Sequence, residues 1–283
     1  MRSIRLVSGL VALICLMGTI SLAEDRTILM ASTIGPIDAG IVPALEDQFE
    51  KESGIRVRHV GAGTGEALKI AEQGTVDLVL VHAKSLEEKF VAAGYGTERI
   101  PFMYNDFVIV GPADDPAGIR GMKSAPTALA TIARQQKRFI SRGDKSGTHV
   151  AELELWSKGG VKPAGDWYVF YEKGREGNGP TLKYTDQQGA YTVIDRATWL
   201  SLKAGLRLQV LVEGDEALLN YISLIPINPA RFPKVDHGAA MAFISWLTDP
   251  DKGQLLVRDF GREKFGEPLF FPNSLDWVRR MKK

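Results

Sequence analysis

At 283 residues, with 45% apolar and 24% charged side chains, the chain has the make-up of a folded globular protein, with material for one large core or two smaller ones. A net charge of +1, with no basic stripe interleaved with aromatics, leaves no electrostatic footprint for nucleic acid. The single cysteine, Cys15, lies inside an N-terminal apolar run, so disulfide and thiol chemistry are not expected of the mature protein.

That run, residues 6–20, follows Arg2 and Arg5 and is short for a membrane span. Ser21-Leu22-Ala23 then offers the small residues that a signal peptidase reads, which predicts a signal peptide over residues 1–23, cleavage before Glu24 and a periplasmic location.

A short strand is expected over residues 27–31, followed by the polar turn Ser32-Thr33 and then Ile34-Gly35-Pro36. Asp38 is placed as the cap of a helix reaching about residue 52, with Ile41, Leu45 and Phe49 on its buried side and Gly54 ending it. Pro43 falls in the first turn, where a missing N–H is no loss. A second strand, 55–60, runs into Gly61-Ala62-Gly63-Thr64-Gly65 and a helix over 66–73. The third glycine of a dinucleotide fingerprint would fall at Glu66, so the run is a tight turn with Thr64 near the helix cap. A third strand over 77–81 and a helix over 86–93 complete an alternation that predicts a mainly parallel sheet. Ligands bind such sheets at the carboxyl ends of the strands, where Ser32, Thr33 and Thr64 stand.

A strand over 106–112 and the break at Asp114-Asp115-Pro116 read as a first crossing into a second lobe. That lobe holds a helix over 128–136, the stretch Phe139-Ile-Ser-Arg-Gly-Asp-Lys-Ser-Gly-Thr-His149, a helix over 180–188 and strands over 191–195 and 206–211. A strand over 221–227 leads back, and helices over 237–247 and 252–260 finish the first lobe. The expected division is 24–108 with 218–283 against 109–217, and two crossings make a hinge with a ligand-trapping cleft.

Residues 139–149 read as a strand, a sharp turn and the start of a helix over 146–157 with Val150, Leu153 and Trp156 on one face. Unpaired N–H groups and the helix dipole suit an anion there. Arg142 adds a planar fork, Ser141, Ser146 and Thr148 add hydroxyls, and Gly143 and Gly147 let the backbone come close. The stretch by itself fits an oxyanion cradle and an ordinary capped helix start equally well. Trp156, close behind the cradle, is expected to report lobe closure in its emission.

Chemistry beyond binding finds no support. His59, His82, His149 and His237 lack the spacing of a zinc site and read as structural or solvated, so no metal and no cofactor are expected. No Gly-x-Ser-x-Gly elbow or nucleophile–base pair is present, which argues against an enzyme.

Several longer stretches carry a resemblance. They are Val60-Gly-Ala-Gly-Thr-Gly-Glu-Ala-Leu-Lys69, Asp77-Leu-Val-Leu-Val-His-Ala83, Glu88-Lys-Phe-Val-Ala-Ala-Gly-Tyr-Gly96, Met103-Tyr-Asn-Asp-Phe-Val-Ile-Val-Gly-Pro112, Ser141-Arg-Gly-Asp-Lys-Ser-Gly-Thr-His149 and Gly189-Ala-Tyr-Thr-Val-Ile-Asp-Arg196. In this order they resemble the periplasmic tungstate-binding proteins of TupA-type ABC transporters. The resemblance implies a two-lobed class II periplasmic binding-protein fold, α/β in each lobe, joined by two crossover strands. It implies a tungstate or molybdate oxyanion as ligand, a membrane permease as partner and a monomer. It also implies that Ser32, Thr33, Thr64, Arg142, Ser146, Gly147 and Thr148 surround the anion. One departure stands out: the family's first loop is a run of hydroxyl residues, Thr-Thr-Thr-Ser-Thr, where this chain has Ser32-Thr33-Ile34-Gly35-Pro36. Phosphate or another oxyanion as ligand, and an extracytoplasmic ligand sensor as role, are the alternatives.

Overall fold

The computed structural model describes residues 26–283, so the expected signal peptide and Cys15 lie outside the described residues. The chain opens with β1 (Thr27–Thr33), which runs directly into the short α1 (Ile34–Asp38). Asp38 therefore ends a helix and does not cap one. The next helix, α2 (Ile41–Ser53), starts from Gly40 at φ +87, a conformation suited to glycine. Ile41, Leu45 and Phe49 are all buried, as their spacing requires, and Gly54 ends the helix at φ +73. Then come β2 (Arg56–Ala62), α3 (Thr64–Ala71), β3 (Leu78–Val81) and α4 (Lys84–Ala92).

The long β4 (Ile100–Gly111) is the first crossing. Beyond it lie α5 (Ala125–Arg134), β5 (Phe139–Ser141), α6 (Gly147–Lys158), β6 (Tyr168–Phe170), α7 (Asn178–Gln188), β7 (Thr192–Asp195), α8 (Arg196–Leu202) and β8 (Gln209–Val212). The return strand is β9 (Leu219–Pro226), followed by α9 (His237–Thr248), α10 (Gly253–Asp259), α11 (Arg262–Phe265), β10 (Phe271–Pro272) and α12 (Leu275–Met281).

The pairing shows how two strands join two lobes. The order is β10-β4-β9-β3-β1-β2, with β7 and β8 also on β4. The first half of β4, Ile100–Asp106, pairs with β9, and its second half, Phe107–Gly111, pairs with β7 and β8. The predicted parallel character holds within the βαβ runs, β1–β2, β1–β3 and β5–β6. The crossing strands pair antiparallel, β9 lying between β3 and β4, because a returning strand re-enters against the direction of the one that left.

Side chains alternate across the crossing strands. Val108, Val110, Ile222 and Leu224 enter one apolar cluster that also takes in Phe243 of α9 and Leu182 of α7, so packing on that face runs from lobe to lobe. Phe107 and Ser223, on the other face, reach the cleft.

The face of α6 differs from the sequence expectation. Trp156 is buried, but Val150 and Leu153 are each 43% exposed. The buried side is Thr148, His149, Glu152, Leu155 and Trp156. Spacing by apolar residues missed it because a carboxyl, a hydroxyl and an imidazole hold three of these five inward positions. One carboxylate oxygen of Glu152 accepts from both Tyr168 Oη, at 2.7 Å, and Trp156 Nε1, at 3.0 Å. These two bonds make burial of the group tolerable.

Candidate functional site

Parallel pairing sets the carboxyl ends of β1, β2 and β3 side by side. Thr33 sits opposite Ala62, and Ser32 opposite Gly61 and Leu80. Each strand then turns into a helix start, and such starts carry N–H groups without intrahelical partners. Several helix starts are closed by the protein itself. Glu87 accepts from Ala83 N at the start of α4 (2.6 Å), Asp215 from Ala125 N at α5 (2.6 Å), Asp195 from Thr198 N at α8 (2.8 Å), and Asp236 from Ala239 N at α9 (2.9 Å). The starts of α1, α3 and α7, like those of α2, α10 and α11, have no side-chain cap, and Ser146 of α6 reaches His149 N at only 3.4 Å.

The same places hold the buried polar atoms that lack partners. Among the described residues these are Thr33 Oγ1, Thr64 Oγ1, Ser141 Oγ, Arg142 Nε, His149 Nε2 and Ser223 Oγ. A buried unsatisfied donor costs about 1–3 kcal/mol, and folded proteins hold few of them. Thr33 ends β1, Thr64 begins α3, Ser141 ends β5, and Arg142 and His149 flank the α6 start. Five of the six orphaned groups thus stand at strand-to-helix turns, where a ligand can satisfy them.

The two lobes meet at this point. Gly147 of α6 lies against His82, at the end of β3, so closely that a Cβ on Gly147 would fall 2.3 Å from His82 Cε1. Both line a cleft of about 1630 Å³, together with Thr64, Lys145, Val150 and Tyr221. Asp38 of α1 feels both Asp195 and Arg142 of the other lobe. Burial and Asp195 raise its pKa, with Arg142 acting in opposition.

Within the second lobe, Asp144 turns inward to Arg142. Its Oδ2 accepts from Arg142 Nη2 at 2.5 Å, and its Oδ1 from Ser146 N at 3.1 Å. Burial pushes the Asp144 carboxyl up, but the hydrogen bonds from Ser146 and the Arg142 guanidinium outweigh it and hold the pKa below the usual value. The remaining Arg142 bond, Nη1 to Asn178 Oδ1, leaves Nε as the free edge. His149 Nδ1 accepts from Lys145 N at 2.9 Å, and burial, opposed by Asp144, lowers the pKa of the ring. The neutral ring then carries its proton on Nε2, a donor with no partner.

The expected residues fall into three groups. Thr33, Thr64 and Arg142 offer free buried donors, while Gly147 and Thr148 supply the start of α6. Ser32 and Ser146 are differently engaged: Ser32 Oγ, fully buried, donates to Thr33 O at 3.3 Å, and Ser146 serves as the cap of α6. Ile34, Gly35 and Pro36 form the first turn of α1, so the backbone N–H groups of Ile34 and Gly35 have no intrahelical partners. Sequence reasoning passed over Asn178 and took His82 and His149 as structural or solvated. Asn178 meets Arg142 across 36 positions and follows Gly177 at φ +113; the tract Gly177-Asn178-Gly179-Pro180 marks a helix start but not its partner.

A family model described as the PBP superfamily domain matches residues 21–251. The tungstate-binding protein TupA of Peptoclostridium acidaminophilum is 44% identical over 252 residues, which is 88% of this chain and 86% of that protein. A putative ABC transporter anion-binding protein of Haloferax volcanii is 43% identical over 257 residues, 89% of this chain and 73% of that protein. Among solved structures, the tungstate-binding protein TupA from Desulfovibrio alaskensis G20 superposes with a TM-score of 0.80 at 41% identity, covering 88% of this chain and 99% of that one. In sequence and in fold, the chain belongs to the PBP superfamily and, within it, to the TupA family of binding proteins.

Proposed function

We propose that this chain is the solute-binding component of an ABC importer, which holds a tetrahedral dianion, tungstate or molybdate, and delivers it to a membrane permease. In this reading residues 24–108 with 218–283 form one lobe, 109–217 the other, and the mature protein works in the periplasm as a monomer, without enzymatic turnover or a cofactor. Ser32, Thr33, Thr64, Arg142, Ser146, Gly147 and Thr148 are the proposed anion shell, with the α1 backbone in place of the missing hydroxyls.

The observation that carries this is the gathering of buried donors without partners at uncapped helix starts. Charge-assisted bonds from such donors contribute about 1.5–3 kcal/mol each, so a few suffice for tight binding. The choice of a fully deprotonated dianion over phosphate follows from the acceptors. Near neutral pH phosphate keeps a proton that must be received. Both oxygens of Asp144 already accept from Arg142 and Ser146, and those of Asp195 accept from Thr198 and Asn178.

Calorimetric titration with tungstate, molybdate, sulfate and phosphate side by side tests this. Calorimetry is preferable to Trp156 emission because that ring is only 1% exposed, on the buried face of α6. Tungstate and molybdate should bind with Kd at or below about 1 μM, and phosphate far more weakly. Phosphate binding more tightly than tungstate would overturn the reading and make Asp38 the acceptor of the ligand proton. Loss of tungstate uptake on deleting the gene separates transport from a sensor role.

A further inference from the structure

The guanidinium of Arg142 is held at two corners, by Asp144 Oδ2 on Nη2 and by Asn178 Oδ1 on Nη1, while Nε stays buried without a partner. Asn178 is the first residue of α7. Its own Nδ2 donates to Asp195 Oδ2 at 2.6 Å. Asp195 in turn is fixed by Thr198, whose N–H reaches Oδ1 at 2.8 Å and whose hydroxyl reaches Oδ2 at 2.6 Å. The direction of the Asn178 amide follows from its neighbours: arginine has only donors and an ionised aspartate only acceptors, so the carbonyl must face Arg142 and the NH₂ must face Asp195.

This arrangement has a consequence for the free edge. A guanidinium beside a lone carboxylate tends to pair with it through two parallel N–H groups. If Arg142 did so with Asp144, the fork would turn, and its anion-facing edge would be redirected or consumed. Asn178 prevents this by taking Nη1 on a side that Asp144 does not reach. It does so with a neutral acceptor, which adds no negative charge beside a bound dianion. A carboxylate at this position would hold Arg142 as well, but it would repel the ligand and face Asp195 with no proton between them.

We propose that Asn178 is a positioning residue for anion binding: backed by Asp195, it fixes the Arg142 fork so that the Nε–H edge is presented to the anion. This rests on the reading above that the oxyanion meets Arg142. Asn178 acts through Arg142 and is not itself a ligand.

The test is a double-mutant cycle with Arg142→Lys, since a lysine has no fork for Asn178 to hold. In the wild-type background Asn178→Leu should lower tungstate affinity at least about tenfold; in the Arg142→Lys background it should change affinity less than about twofold. Equal losses in both backgrounds would show a general structural effect and overturn the assignment. A second readout needs no ligand. In ligand-free protein labelled with ¹⁵N-arginine, the Nε–H signal identified by its absence from Arg142→Lys should shift or broaden in Asn178→Leu. Asn178→Ser, which is smaller than asparagine, serves for both measurements if the leucine variant does not fold. An unchanged Nε–H signal would sink the Asn178 assignment alone. Absence of tungstate and molybdate binding by the wild-type protein would instead sink the reading on which it rests.

Discussion

The ring of His82 occupies the space that any side chain at position 147 would need: an added Cβ on Gly147 would lie 2.3 Å from His82 Cε1 and 2.9 Å from Nε2. A glycine at the start of α6 thus lets the second lobe close on the end of β3. Gly147→Ala should hold the lobes apart and weaken tungstate binding by about tenfold or more, comparable with an overpacked core contact. Adding His82→Ala should recover most of the loss, because the obstruction is gone. Calorimetry on both variants checks this, and a double variant as weak as the single one would refute the steric account.

Arg142→Ala should reduce tungstate affinity by about a hundredfold, near the 3 kcal/mol of a strong charged contact. Besides its place in the cradle, Arg142 satisfies Asp144 and Asn178. Truncation leaves two acceptors in need of water, so the ligand-free protein should also melt several degrees lower, as expected for about 1–3 kcal/mol. An unchanged melting temperature would mean that water replaces the guanidinium without cost.

Thr33→Val and Thr64→Val should separate stability from binding. Each removes a buried hydroxyl that has no partner in the ligand-free protein. Loss of an unsatisfied group stabilises by roughly 0.5–1 kcal/mol, while loss of a donor to the anion costs about tenfold in affinity. Chemical denaturation without ligand and calorimetry with it should move in opposite directions. A destabilised Thr33→Val would show that its hydroxyl has a structural partner.

Glu152 predicts a pH dependence of folding. Burial pushes its carboxyl up from 4.5 to about 7, against the hydrogen bonds from Tyr168 and Trp156. A raised carboxyl binds its proton more tightly folded than unfolded, so its contribution is fully present below pH 4.5 and is lost as pH rises toward about 7. The loss amounts to at most roughly 3 kcal/mol. Glu152→Gln keeps an acceptor for Tyr168 and Trp156 but cannot ionise. Its stability relative to wild type should therefore rise across that window and level off above it, as denaturant midpoints at several pH values will show.

Much of this protein is local and was legible. Strand–helix alternation, the buried face of α2, the place of Pro43 and the turn from β5 into α6 each depend on periodicity or turn chemistry within a few residues. The pairing of Arg142 with Asp144 is equally short in range, two positions apart. The face of α6 was misread for the converse reason: its inward positions are held by polar groups whose partners, Tyr168 and Lys145, lie outside the helix.

By itself the sequence determined an α/β chain that crosses twice between lobes, with hydroxyls and one arginine at turns where an anion is welcome. Only the tertiary structure decided which of those groups are free. Ser146 became a helix cap, Thr33 and Thr64 were left without partners, and Asn178 and His82 were brought to Arg142 and Gly147 from distant segments. The reason is physical: whether a buried donor is satisfied depends on which atoms surround it, and here the crossing strands β4 and β9 bring those atoms together from both lobes.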